Sequence, residues 1–120
     1  MIEISERVKD RVRIEALELK PRECCGFVIK RADDTLDIFP CVNVAINNEE
    51  QYYIQIENYI LAEAIGEVIG VYHSHTKGTN SFSNADLTLS DKLELLNVLY
   101  IVETDKFYTY YPKLENEPIS

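Results

Sequence analysis

Apolar side chains recur at Ile4, Val8, Val12, Ala16 and Leu19, with charged residues between them. Steps of three and four residues place such positions on one stripe of a helix, so the spacing predicts a helix over residues 4–19, with Ser5 or a neighbour as its N-cap. Lys20-Pro21 ends it, because the residue before proline resists the αR region. The period then changes. Residues 25–30 and 36–44 are short runs that read as strands, separated by the turn at residues 31–34, and the second is interrupted or edged at Pro40. Residues 51–56 predict a third, shorter strand. Residues 57–67 carry Ile60, Leu61, Ala64 and Ile65 at helical spacing. Val68, Ile69, Val71 and Tyr72 make residues 68–73 a buried central strand. A polar loop over residues 76–82 leads to a helix over residues 83–96, and residues 98–103 and 106–111 form a closing pair that can turn through Thr104-Asp105. The order α-β-β-β-α-β-α-β-β predicts an α+β fold, a mixed and mostly antiparallel sheet flanked by helices. One domain is expected over residues 1–112, with a loose polar tail at 113–120.

Composition narrows the partners. The 120 residues carry a net charge of −9, and no Lys/Arg cluster exceeds Lys30-Arg31. That argues against nucleic acid and anionic membrane. No apolar run approaches the roughly 20 residues that cross a bilayer. The first residues, Met1-Ile2-Glu3-Ile4-Ser5-Glu6, lack the basic and apolar regions of a signal peptide, so a reducing cytoplasm is the expected home. Cys24, Cys25 and Cys41 make an odd set without a Cys-x-x-Cys, which reads as buried thiols rather than a disulfide framework or a Cys-only zinc site. Most of the eight tyrosines are expected at core rims, with Tyr108, Tyr110 and Tyr111 open to a partner surface.

The chemistry concentrates in one stretch. Both histidines of the chain lie in His73-Ser74-His75, at the end of the predicted central strand, and Ser83 and Asp86 follow. Side chains at i and i+2 on a strand leave the same face, so the two imidazoles can hold one ion. Asp86 adds an oxygen ligand, and two His with one carboxylate and an open fourth position is the ligand set of a catalytic zinc. A carboxylate outside the ligand set must move the water's proton, and Glu23, just before the strand at residues 25–30, is the candidate base. Gly26 would let the backbone pass close to the site. Ser83 could donate to the oxyanion. Ser83-Asn84-Ala85-Asp86 is also a helix N-terminus with Ser as N-cap, and the two readings agree: the cap fixes the turn that aims Asp86. Asp91 and Glu94 read as a solvated helix face.

Glu23, His73-Ser74-His75, Ser83 and Asp86, at these spacings, resemble the JAB/MPN metalloprotease family, also called JAMM. Within it the chain looks most like the JAB domain of phage tail assembly proteins, through Pro21-Arg-Glu-Cys-Cys-Gly26, Pro40-Cys-Val-Asn43 and Gly70-Val-Tyr-His-Ser-His75. The resemblance implies a JAB/MPN, cytidine-deaminase-like architecture and a Zn²⁺-dependent peptidase in which His73, His75 and Asp86 bind zinc, Glu23 is the base and Ser83 steadies the transition state. It implies a peptide or isopeptide substrate, such as peptidoglycan cross-links or a tail protein, in the bacterial host's cytoplasm or the virion tail. It also implies tail proteins or an NlpC-type peptidase domain as partners. The alternatives are an isopeptidase acting on ubiquitin-like proteins and an inactive scaffold domain. Relatives usually carry proline after the second histidine; Thr76 stands there instead, which predicts a more flexible loop.

Overall fold

The computed structural model describes residues 2–78 and 81–113. Helix α1 spans Glu6–Leu19. Ser5 caps it by accepting the Val8 N–H, and Val8, Val12 and Ala16 are buried along one stripe. Lys20 leaves the helical region at ψ 139°, as the proline after it requires. Strands β1 (Cys25–Lys30) and β2 (Leu36–Cys41) form a hairpin. Helix α2 (Ile56–Glu63) precedes β3 (Glu67–His75), helix α3 (Asn84–Leu93) follows it, and β4 (Leu96–Ile101) and β5 (Lys106–Tyr110) close the chain.

The sheet runs β2-β1-β3-β4-β5, with β3 and β4 the one parallel pair among the described residues. Proline lacks the N–H that a central strand must donate, and Pro40 is tolerated because β2 is an edge. One face of the sheet packs Cys24, Val28, Ile38, Ile69, Tyr72, Leu96 and Val98 against α1. The other packs Phe27, Ile29, Cys41, Val68, Val71 and Leu95 with Ala62 of α2. Val71, His73 and His75 alternate onto this second face.

Several expectations are corrected. Residues 51–55 form no strand: Asn43 and Tyr53 bind this segment as a loop, through Tyr53 N–H to Asn43 Oδ1 at 3.1 Å and Val44 N–H to Tyr53 O at 3.1 Å. Strand β2 stops at Cys41 rather than at residue 44. Helix α3 stops at Leu93, because Glu94 is left-handed at φ 56° and turns Leu95 and Leu96 into the sheet. Gly26 does not serve the histidine face. A Cβ there would stand 2.4 Å from Phe39 O and 2.6 Å from the Tyr72 hydroxyl, so its smallness lets β1 lie against β2 and Tyr72. All three cysteines are buried and unpaired with one another. Burial pushes the Cys24 and Cys41 thiols up to about 12 and raises Cys25 too, which makes them poor nucleophiles. The expected tail lies outside the described residues except for Lys113, whose N–H donates to Asp91. Asp91 also accepts from Tyr110, so it is a tie between α3 and the chain end rather than a bare solvated charge.

Candidate metal centre

Strand β3 ends between β1 and β4, and its last turns of the pleat carry His73 and His75. The backbone there is tied across to β1: Ser74 N–H donates to Cys24 O at 3.1 Å, and Cys24 N–H donates to Ser74 Oγ at 2.8 Å. The middle residue of the motif thus fastens the segment that carries Glu23. Glu23 itself is held by main-chain bonds, its N–H donating to Asn48 O at 2.7 Å and its carbonyl accepting from Asn43 Nδ2 at 3.1 Å. Asn43 also donates to Asn48 O and Gln51 O, so one side chain folds the 43–51 loop over the site.

These restraints gather Glu23, His73 and His75 until one ligand atom of each lies within 4.8 Å of the others. Glu23 Oε2 is 3.8 Å from His75 Nε2. Asp86 stands beside this group, with Oδ2 3.9 Å from His73 Nε2. It is aimed by a capping box at the start of α3: Ser83 Oγ accepts the Asp86 N–H and Asp86 Oδ2 accepts the Ser83 N–H, both at 3.0 Å. All five residues line one cleft of about 540 Å³, together with Tyr52, Glu50 and Phe82.

The base of the site is buried. His73 is 1% exposed and Glu23 3%. Burial pushes His73 down to about 4, against the upward pull of Asp86 and with His75 adding to the fall, so its ring is neutral at neutral pH. Burial and then the Asp86 charge push Glu23 up to about 8. A neutral imidazole with a free lone pair, beside carboxylates held together against their own repulsion, is the state that a divalent cation relieves. Two imidazoles with hard carboxylate oxygens suit zinc, so the residues present fit the ion.

Sequence reasoning missed Tyr52, which it assigned to a strand or core rim. Its ring stacks on His73, with centroids 4.6 Å apart and planes at 22°, and its hydroxyl donates to Asp86 Oδ1 at 3.4 Å. Phe82 meets the same imidazole edge-on at 6.4 Å. Thr76 follows the second histidine at the start of the loop. Its hydroxyl donates to Pro21 O at 3.1 Å and its carbonyl accepts the Glu103 N–H at 3.1 Å, so the residue that replaces proline is anchored on both sides.

Residues 5–111 match the family model described as prokaryotic homologs of the JAB domain. A curated relative, tail tip assembly protein K of Escherichia phage N15, is 31% identical over 86 residues; these are 72% of this chain and 35% of that protein, so the chain spans about a third of the relative. Among solved structures, a JAB1/MPN domain protein from Archaeoglobus fulgidus aligns over 95% of this chain and 97% of its own, at TM-score 0.59 and 18% identity. A protein from Desulfitobacterium hafniense aligns over 98% and 94%, at TM-score 0.67 and 17% identity. At such identities the structural likeness speaks for the fold alone.

Proposed function

We propose, because the chain belongs to the family of prokaryotic homologues of the JAB domain, that it is a zinc-dependent peptidase or isopeptidase of the JAMM type. The observation that carries the reading is the convergence of Glu23, His73, His75, Ser83 and Asp86 on one cleft from three separate elements. His73, His75 and Asp86 are assigned to hold the ion. Asp86 can cap α3 and coordinate at once, since a carboxylate has two oxygens and about four lone-pair sites. A bound zinc ion supplies Lewis acidity for amide hydrolysis.

The protein's own groups carry the rest. Glu23 accepts the attacking water's proton and returns it to the leaving amine. Its raised affinity for a proton in the metal-free protein keeps the group close to balance at neutral pH once a cation favours the carboxylate. Ser83 uses its oxygen to accept the Asp86 N–H, which leaves its own proton free to meet the carbonyl oxygen under attack. The buried base of the cleft excludes competing water.

The phage tail relative supports a tail-associated role, with peptidoglycan cross-links or a tail protein as substrate. The region of that relative beyond the matched third leaves room for further domains, and an NlpC-type peptidase domain belongs to this proposal as a partner. No helix among the described residues is long and apolar enough to cross a membrane. The test pairs zinc content with turnover. Purified protein is expected to hold one zinc per chain, and Glu23→Gln to keep that zinc while hydrolysis of peptidoglycan fragments or tail protein falls about 10²-fold or more. Absence of zinc from well-folded wild type, or normal turnover by Glu23→Gln, rejects the reading. Cleavage of a ubiquitin-like fusion with those substrates untouched keeps the chemistry and moves the substrate class.

A further inference from the structure

His73 presents Nε2 toward Asp86, while its Nδ1 is buried without a hydrogen-bond partner. Asn97 on β4 is 1% exposed, and its Oδ1 is also buried without a partner. Each orphan is the complement of the other, a ring N–H donor and an amide oxygen acceptor. A buried polar group left unmatched costs about 1–3 kcal/mol. Two such groups on one sheet face therefore need an explanation.

The strand register supplies it. In the parallel pair of β3 and β4, Val71 lies opposite Asn97 and His73 opposite Leu99. Asn97 is thus the diagonal neighbour of His73. Val71 and Leu95 sit in the same core cluster, so by alternation Asn97 shares the histidine face. Diagonal neighbours are within reach of long side chains. Tyr52 stacks on the imidazole from the loop side, with the ring planes at 22°.

A neutral imidazole carries one proton, on either nitrogen, and only the bare nitrogen can ligate. We propose that Asn97 is a positioning residue: its side-chain oxygen accepts the His73 Nδ1 proton and so keeps the Nε2 lone pair turned into the cleft. The metal-binding consequence rests on the function proposed above; the tautomer itself does not.

The test reads that tautomer directly. Long-range ¹H–¹⁵N correlation spectra of metal-free, ¹⁵N-labelled wild type at pH 8 are expected to show His73 protonated at Nδ1 and bare at Nε2. Asn97→Leu, which keeps the branched shape with somewhat more bulk and removes the acceptor, is expected to shift His73 toward Nε2–H or a mixture. Its zinc affinity should fall about 10–100-fold, the usual effect of losing a partner behind a ligating histidine. Asn97→Asp, which keeps an oxygen at the same place, should restore the wild-type tautomer and an affinity close to wild type. A wild-type spectrum with the proton on Nε2 overturns the proposal without any variant. So does a folded Asn97→Leu protein with unchanged tautomer and affinity. If the wild type binds no zinc while Asn97→Leu still switches the tautomer, the peptidase reading falls and the role of Asn97 stands.

Discussion

Glu15 and Glu23 are both acids whose protons are held tightly, yet different neighbours set them. At Glu15 burial pushes the carboxyl up to about 7, and the Tyr72 hydroxyl, donating to Oε2, only moderates the rise. An unfolded glutamate titrates near 4.3. A folded value above that means the stability linked to the proton is complete below about pH 4 and is lost as pH rises through about 7. Glu15→Gln keeps an acceptor for Tyr72 and removes the charge. It is expected to gain about 1–2 kcal/mol over wild type at pH 8, discounted because the side chain is half-buried, and little at pH 4. Urea unfolding of both proteins at the two pH values measures it, and an equal difference at both pH values refutes it. At this scale the sequence was legible wherever chemistry and spacing coincided. Two imidazoles two residues apart on an apolar strand must share a face, and Ser83 with Asp86 is a cap in any setting. Tyr52, Asn43 and Asn97 were not legible, because cross-strand register and one loop's fold bring them to the site, and neither leaves a local periodicity.

Helix α1 shows what fastens an element once its apolar stripe has formed. Asp37 on β2 is 1% exposed and takes Arg31 at 2.9 Å, Arg7 at 3.2 Å and Arg11, with the Ile38 N–H at 2.8 Å. Burial alone would raise its pKa, but hydrogen bonds from Arg31, the Ile38 amide, Arg11 and Arg7 outweigh it and hold the carboxyl well below the usual range. The three guanidinium groups are 42–65% exposed, so each pair taken alone is a surface bridge worth about 0–1 kcal/mol. The shared, buried acceptor makes the difference, since hydrogen bonds to a charged group contribute about 1.5–3 kcal/mol. Asp37→Asn is expected to cost about 2 kcal/mol at pH 6. A depressed folded value gives stability that is present above about pH 4 and lost as pH falls below it, so the gap to wild type should shrink toward pH 2. Denaturant titrations across that range decide it; a gap that is constant with pH would show that packing, not charge, is lost. Element boundaries were the weaker part of the sequence reading. Glu94 turns α3 off in a left-handed conformation with no glycine to announce it, and the extended run at residues 51–55 has strand-like residues but no neighbouring strand to pair with.

The whole molecule puts α1 on one face of the sheet and the cleft on the other. Alternation along β3 made the two faces legible, but nothing local dictated the order β2-β1-β3-β4-β5, which decides that the segment before β1 brings Glu23 and β4 brings Asn97 to opposite sides of β3. The last strand among the described residues ends at Tyr110, and the Tyr111 hydroxyl donates to Ile2 O at 2.9 Å, which ties the two ends of the described fold together. We infer from this that residues 1–112 can fold as one unit. Cutting after Pro112 removes the Lys113 N–H bond to Asp91, a contact at 2.8 Å whose net value is about 0.5–1.5 kcal/mol. For a domain of this size that corresponds to a fall in Tm of roughly 2–8 °C. The shortened protein in zinc-free buffer should therefore melt a few degrees below the full chain, in one transition whose calorimetric and van't Hoff enthalpies agree at about 0.7 kcal/mol per residue. A second transition, or failure to fold, would place the boundary elsewhere and make the last eight residues part of the core. The two proteins should also bind zinc equally, since all five proposed site residues and Asn97 lie well inside the retained segment.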